Sequence, residues 1–480
     1  FGDYDVDGVT AVAQLKAALL RAGADAVAFL PHRLRDGYGL KPDTVRRVLS
    51  ELSPSVLITV DCGITAVEGV ACARAAGVDV IVTDHHLVPE QLPAGAVVVN
   101  PRQAGCPYPY KELAACGLAF KLAEAVARRA GFALSRESLL RAACLGTIAD
   151  LVPLTGENRI IAAVGLAALA HPHAPGLASL LAESGVPAGR APTSEEVAFR
   201  IAPRLNAAGR VDTAELALSL FEERDPARAA AIARDLTLRN GERQSIERQV
   251  AREAREILAT RFDSERHAVI LLARPGWHRG VLGIVASRLA REYHRPVLLF
   301  GLEGDKASGS GRSIPGVSLH ATLSEIAHLF DEFGGHDQAV GGSLRAARLP
   351  ELTEAAEALF AARVAPELLV PTQEAEQELP LEEISEDLLA LLERFEPHGM
   401  GNPRPVFRAG PVRAAGPPRH LGESGARGRL QRGGGELDFI CWRPEAIDAF
   451  AGPGDLEIHY RAQRGRAGFL EIEIAAARSA

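Results

Sequence analysis

Four short segments in the first third of the chain carry side chains suited to hard divalent cations. They are Phe1-Gly-Asp-Tyr-Asp-Val-Asp-Gly8, Val60-Asp-Cys-Gly63, Thr83-Asp-His-His86 and Gly146-Thr-Ile-Ala-Asp150. Carboxylates mixed with imidazole favour Mn²⁺ or Mg²⁺ over structural zinc. Two such ions ~3.5–4 Å apart activate a water and stabilise both oxygens of an in-line phosphoryl displacement. Asp5 and Asp7 lie two apart, so on an extended segment both point to one side. Asp61 is placed to bridge two ions, His85 offers a ring nitrogen and Asp150 closes the far side. Any one of these acids, Asp3 or Asp84 for example, reads equally well as a helix cap or turn former. Turn formation does not require adjacent histidines, and the set together reads as a metal site.

Such a site needs elements that bring distant segments to one edge. Val56–Val60, Val78–Val82 and Ala142–Leu145 read as strands, with helical patterns over Thr10–Arg21, Thr65–Ala76 and Leu113–Ala130. Strands alternating with helices imply βαβ units and a parallel sheet, whose carboxyl edge is the usual ligand crevice. Gly8 is expected to permit a tight turn into the first helix. A long charged helix is expected from Asp225 to about Thr260, bridging to a second α/β unit that begins near His267. The last hundred residues alternate short apolar segments with Gly/Pro/Arg-rich turns, the pattern of a small β-barrel.

Bulk properties bound the function classes. The chain has 480 residues, 47% hydrophobic and 24% charged, which describes a soluble globular protein of several domains. No apolar run reaches the ~20 residues that span a bilayer. Six cysteines show no C-x-x-C pair, so they read as reduced thiols of a cytoplasmic protein. The chain opens on Phe1 inside an expected strand, so further residues are expected to precede it. The net charge of −8 argues against a uniformly basic nucleic-acid binder, although local fields decide binding. Arginine dominates the basic residues; it suits bidentate phosphate contacts, and a coding bias would produce the same excess.

The order D-x-D-G, V-D-C-G, T-D-H-H and G-T-I-A-D resembles the DHH phosphoesterase superfamily. Further segments narrow the resemblance to its bacterial RecJ family of single-strand exonucleases. They are Pro31–Leu40, Ala202–Arg210, Gly276–Gly283, Gly309–Ser313, Gly334-Gly-His336 and Pro397–Pro403. The resemblance covers essentially the whole chain. It implies an α/β architecture with four parts: a parallel-sheet DHH domain (1–222), a connecting helix (223–263), a smaller DHH-associated α/β domain (264–366) and an all-β OB-like barrel (367–480). Many relatives carry a metal-binding histidine four residues before the first aspartate of the pair. Here that position is Phe1, so Asp3 stands either in its place or behind the ligands.

The expected activity is a processive 5′→3′ exonuclease releasing 5′ mononucleotides from single-stranded DNA with two Mn²⁺ or Mg²⁺ ions. Asp5, Asp7, Asp61, His85 and Asp150 hold the ions, and His86 orients the phosphate or assists proton transfer. Arg33, near the metals, recognises the 5′ end with Ser310 and Arg312, and Arg210 lies within reach of the scissile phosphate. Gly309–Ser313, read as a glycine-rich turn, cradles the 5′ phosphate with Ser310 and Arg312, and His336 supports the backbone or the metals. Trp277 and His278 either stack on bases or belong to the core; Arg427, Arg429 and Arg432 lie on a barrel loop that either guides the strand or is merely solvated. The resemblance further implies a narrow passage excluding duplex, a monomer, and recombination and repair alongside a helicase and single-strand-binding protein. Two other readings share the motifs. A phosphodiesterase of short oligonucleotides or cyclic dinucleotides needs no barrel, and an inactive scaffold in a replication complex would carry eroded ligands.

Overall fold

The computed structural model describes all residues except 34, 38, 212, 423, 424, 453, 466 and 467. Two of these, Leu34 and Tyr38, belong to the Pro31–Leu40 segment, and their part in it lies outside the described residues.

The chain opens on an extended stretch that leads into α1 (Val6–Arg21) and α2 (Pro42–Leu52). A parallel sheet follows, in the order β1 (Val56–Val60), β2 (Asp79–Thr83) and β3 (Ala96–Val99), with α3 (Val67–Ala75) crossing between the first two. Phe1–Asp3 extends this sheet: Gly2 pairs in parallel with Val60, and its N–H donates to Phe29 O at 3.1 Å. The strands are short and apolar, and their carboxyl ends gather Asp3, Asp61 and His85 at one edge, as the sequence implies for β1 and β2.

Helices then wrap that edge: α4 (Ala115–Ala130), α5 (Arg136–Ala149), α6 (Gly156–Ala168) and α7 (Pro175–Glu183). One turn, α8 (Ser194–Glu196), runs through a π-helical turn at Val197–Ile201 into α9 (Ala202–Val211), followed by α10 (Glu215–Glu222). The expected strand at Ala142–Leu145 is instead the middle of α5. Its residues Ala142–Ile148 are all buried, so this half of the helix presents no polar face and carries no amphipathic signature.

The connecting helix α11 (Pro226–Arg261) has 36 residues, about 54 Å at 1.5 Å per residue. Its first half packs Ala233 and Leu236 into the core of the first domain, while Val250, Ala254 and Leu258 enter the next one. That second core is a mixed sheet ordered β4 (Ile270–Pro275), β5 (Val297–Glu303), β6 (Lys306–Arg312), β8 (Ala339–Arg345), β7 (Glu332–His336). Helix α12 (Arg279–Tyr293) covers one face, with α13 (Leu319–Ser324) and α14 (Leu349–Arg363) completing the unit.

The remaining strands are β9 (Gln377–Glu378), β10 (Phe407–Val412), β11 (Arg419–Leu421), β12 (Gly425–Arg432), β13 (Gly435–Cys441), β14 (Leu456–Arg464) and β15 (Leu470–Ser479). They pair in the order β11-β12-β13-β15-β14-β10-β9. Beyond β10, Ala414 bridges Leu430 of β12, which closes a five-stranded barrel around Phe439, Tyr460 and Ile472. The barrel docks on the first domain through the strap Phe395–Arg404. Leu154 N–H donates to Met400 O at 2.7 Å, Ser194 Oγ to His398 O at 2.7 Å, and Arg159 to Phe395 O at 3.0 Å.

Candidate active site

Five elements converge at the carboxyl edge of the first sheet: the opening stretch, α1, the ends of β1 and β2, and the end of α5. Asp3 ends the extended stretch beside β1, and Asp5 is the N-cap of α1, its carboxylate accepting from Gly8 N–H at 3.0 Å. Asp7 therefore lies inside the first turn of a helix, which corrects the expectation of one extended segment presenting both carboxylates. It faces the site by another route. Helix α4 has no side-chain cap of its own, and Asp7 supplies one, accepting from Ala115 N–H at 2.7 Å and Cys116 N–H at 2.8 Å. Gly8 also serves differently from the expected turn former. A Cβ there would meet Asp3 O at 2.5 Å, so glycine lets the first stretch cross α1 closely.

Asp61 follows β1 in the left-handed region, φ 64°, a conformation that aspartate tolerates better than most residues. Asp150 is the C-cap of α5, at a helix end rather than a strand end. Around His85 Nε2 stand Asp61 Oδ1 at 3.1 Å, Asp150 Oδ2 at 3.6 Å and Asp7 Oδ2 at 3.8 Å. Three ligand-competent groups overlap here: Asp3, Asp5 and Asp61; Asp61, His85 and His86; Asp7, His85 and Asp150. Asp61 and His85 are each shared by two groups.

The electrostatics of these groups ask for cations. Burial, reinforced by neighbouring carboxylates, raises the carboxyls of Asp7 and Asp61, with Asp3 reaching about 8 and Asp150 about 9. Burial lowers His85 to about 4, so its ring is neutral and a ligand at neutral pH. Asp3 Oδ1, Asp61 Oδ1 and His85 Nε2 are buried without hydrogen-bond partners. Orphaned acceptors of this kind fit divalent ions bound by oxygen and imidazole.

The residues behind the ligands were less visible in the sequence. Asp84 accepts from Ile64 N at 2.9 Å, His85 N at 2.8 Å, His86 N at 3.1 Å and His86 Nδ1 at 2.7 Å. It is a positioning residue, and nothing in the sequence separates it from its ligand neighbours. Arg102, after β3, faces the site closely enough to oppose the charge on His85 and moderate Asp150. Asn206 of α9 accepts from Val6 N–H at 3.2 Å, tying that helix to the start of α1.

Beside this pocket lies a cluster of like charges. Arg33 stacks over the Tyr4 ring at 5.0 Å, between Asp3 and Asp5 in sequence. Arg210 donates to Gly280 O of the second α/β unit at 3.2 Å. Burial, with Arg33, Arg243 and Arg312 nearby, lowers the Arg210 guanidinium to about 9, and burial with Arg33 lowers Arg312. Gly309–Ser313 is not a turn: through Arg312 it belongs to β6 inside the sheet. Its glycines answer packing, since a Cβ on Gly309 would meet Phe300 at 2.4 Å and one on Gly311 would meet Val340 at 2.8 Å. Ser310 and Arg312 share one face of the sheet, with Arg312 Nη1 donating to Ser310 Oγ at 3.0 Å. His336 is exposed on β7, in register with Ala339 and thereby with Arg312.

The remaining residues are held within the fold. Trp277 is buried, its indole N–H donating to Glu253 at 2.8 Å, and His278 is the N-cap of α12. Arg427, Arg429 and Arg432 lie on strand β12 rather than a loop, bound respectively to Glu471, Glu436 and Ile384 O.

The parallel sheet, its acidic edge and the arginine-bearing second unit define a DHH-type phosphoesterase. The DHH family N-terminal domain matches residues 1–147, the DHHA1 domain residues 266–362 and the RecJ OB domain residues 375–466. A curated relative from Bacillus subtilis, the single-stranded-DNA-specific exonuclease RecJ, is 38% identical over 84% of this chain, which spans 51% of that protein. Two solved structures of RecJ from Thermus thermophilus superpose on the whole chain and are covered over about two thirds of their own length. The Mn²⁺ complex gives a TM-score of 0.83 at 32% identity and 68% coverage, and the Mg²⁺ complex gives 0.76 at 30% and 67%. The chain belongs to the RecJ family of single-stranded-DNA-specific exonucleases. Among the described residues no helix is long and apolar enough to cross a membrane.

Proposed function

We propose that the chain is a metal-dependent 5′→3′ exonuclease that degrades single-stranded DNA to 5′ mononucleotides in recombination and repair. One juxtaposition carries the reading. Buried acceptors on Asp3, Asp61 and His85 lack donors, while the half-buried guanidiniums of Arg33, Arg210 and Arg312 crowd together beside them. A phosphodiester accompanied by divalent ions satisfies both sides at once.

Asp3, Asp5 and Asp61 would hold one ion, and Asp7, His85 and Asp150 with the shared Asp61 the other. When bound, Mn²⁺ or Mg²⁺ lowers the pKa of a water and shields the phosphoryl oxygens. Arg33 and Arg210 would neutralise charge developing on the scissile phosphate. Ser310 and Arg312 would hold the 5′ phosphate, with His336 beside them on the same sheet. Asp84 fixes the Nδ1 side of His86, and the Nε2 side would meet the phosphate or the proton released as the P–O bond forms. The 3′ oxygen of the terminal nucleotide departs, and the next nucleotide keeps the new 5′ phosphate.

The reading carries a cytoplasmic setting, a monomer, and a helicase and single-strand-binding protein as partners. Mn²⁺-dependent digestion of long single strands labelled separately at each end tests it, with Asp61→Ala as control. Early mononucleotide release from the 5′ label, lost in the variant, supports it; survival of long strands while dinucleotides are cut overturns it.

A further inference from the structure

A second built cleft lies on the catalytic domain, away from the acidic edge, where the end of α7 and the π-helical turn meet α11. It encloses about 470 Å³ and is lined by Ser184, Phe199, Arg200, Arg204, Asn240 and Gly241 among others. We infer that it holds one base of the substrate strand, an inference that rests on the exonuclease reading above.

Two polar groups lie unpartnered just beneath its surface. Ser184 and Asn240 are 2% and 5% exposed, yet Ser184 Oγ and Asn240 Oδ1 make no hydrogen bond. Burial without a partner is unfavourable, so each orphan in a native fold points to something that completes it. Beside them Phe199 is 70% exposed, a large ring standing on the surface. It sits on the π-helical turn Val197–Ile201, a distortion that recurs at functional sites.

The walls are fixed in place and basic. Arg200 donates to Glu196 at 3.0 Å and to Gly185 O at 3.3 Å. Arg204 donates to Glu183 O at 3.0 Å and Thr237 Oγ1 at 3.2 Å, and burial with Arg200 nearby holds its guanidinium below the usual range. A nucleobase matches this inventory in one planar group. Its face stacks on Phe199, and its N–H groups and edge complete Asn240 Oδ1 and the Ser184 hydroxyl once the wall covering those two atoms shifts. Phosphates on either side fall to the arginines.

The fold supplies the route. Arg204 and Arg210 lie on the same helix, α9, about 9 Å apart along its axis. On α11, Arg243 stands three residues past Asn240, and its charge reaches Arg210. A strand whose end sits at Arg33, Arg210 and Arg312 thus has Arg204 and Arg243 on the two helices that lead toward the cleft.

Binding to the complete chain is measured in EDTA, which prevents cleavage, using 5′-phosphorylated fluorescent 20-mers that each carry one abasic nucleotide at a different position. Stacking of ~1–3 kcal/mol per base sets an expected affinity loss on the order of tenfold at one register. Phe199→Ala should show that loss on the intact strand and no further loss at that register; its exposure leaves the core untouched, which a thermal melt checks. A flat abasic profile, or a register loss that persists in Phe199→Ala, overturns the base pocket. If the flat profile accompanies normal Mn²⁺-dependent digestion, the pocket alone fails. If the wild-type chain neither binds nor digests the intact strand, the exonuclease reading fails and takes the pocket with it.

Discussion

His85 Nε2 and Asp61 Oδ1 face each other at 3.1 Å, both buried, and no hydrogen bond joins them. Close approach without donation is the mark of two acceptors arranged for a third body. Such a site is destabilising while empty, because buried carboxylates lose hydration without gaining a partner. Asp61→Asn should therefore raise the unfolding temperature of the metal-free protein while abolishing the stabilisation given by Mn²⁺. Thermal unfolding in EDTA and in Mn²⁺ checks both signs. An unchanged Mn²⁺ shift in the variant would remove Asp61 from the ligand set.

Asp84 should matter without touching an ion. Its carboxylate gathers three backbone amides and His86 Nδ1, so it sets the direction of both histidines. Burial pushes its carboxyl up, but the hydrogen bond and charge of His86 and the amides of Ile64 and His86 outweigh that and hold it below the usual range. Groups that orient metal ligands typically carry 10–100-fold in affinity or activity. Asp84→Asn is expected to weaken Mn²⁺ binding by about that factor, read by titration calorimetry, while the acceptor cluster at Asp61 and Asp150 stays in place.

Asp36 anchors the loop that carries Arg33. It accepts from His32 N–H at 2.7 Å and from both terminal nitrogens of Arg47, at 2.8 and 3.0 Å. Burial pushes the Asp36 carboxyl up, and hydrogen bonds from Arg47, Arg35 and His32 more than reverse this, leaving it well below the ordinary carboxylate range. A folded-state pKa below the unfolded value contributes stability above pH ~4 and loses it as the pH falls through the folded value. Wild type should therefore lose more stability than Asp36→Asn in acid denaturation between pH ~4 and ~2. At neutral pH the variant should bind 5′-phosphorylated strands more weakly, through a loosened Arg33.

Much of this site was legible because parallel strands deliver their carboxyl ends to one edge, so Asp61 and His85 could be placed from the apolar runs before them. Asp7 and Asp150 point into the same pocket from helices. The run around Cys144 misleads because that half of α5 is buried on all sides, and a short apolar run does not distinguish strand from helix. Gly309–Ser313 misleads for another reason. Glycine there makes room for Phe300 and Val340, and nothing in the sequence tells that use from a turn. Asp84, Ser184 and Asn240 are invisible one by one, since their roles depend on which amides and hydroxyls the fold brings near.

The strap should couple the barrel to the catalytic domain. Asp150 is followed by Leu151, held at φ 60°, and three residues later Leu154 N–H donates to Met400 O at 2.7 Å. Gly401 adopts φ 70°, and a Cβ there would meet Pro153 at 3.2 Å and Thr155 at 3.3 Å. Gly401→Val adds left-handed strain, on the order of 1–2 kcal/mol, to crowding against the segment after Asp150. The docked barrel should then loosen without losing its own fold, because its core of Phe439, Tyr460 and Ile472 is separate from the strap. Processive digestion of long single strands is expected to fall several-fold, while hydrolysis of very short oligonucleotides, which never reach the barrel, stays near wild type. If both fall together, the strap acts on the metal centre through Asp150 rather than on the path of the strand, and Mn²⁺ affinity should fall in parallel.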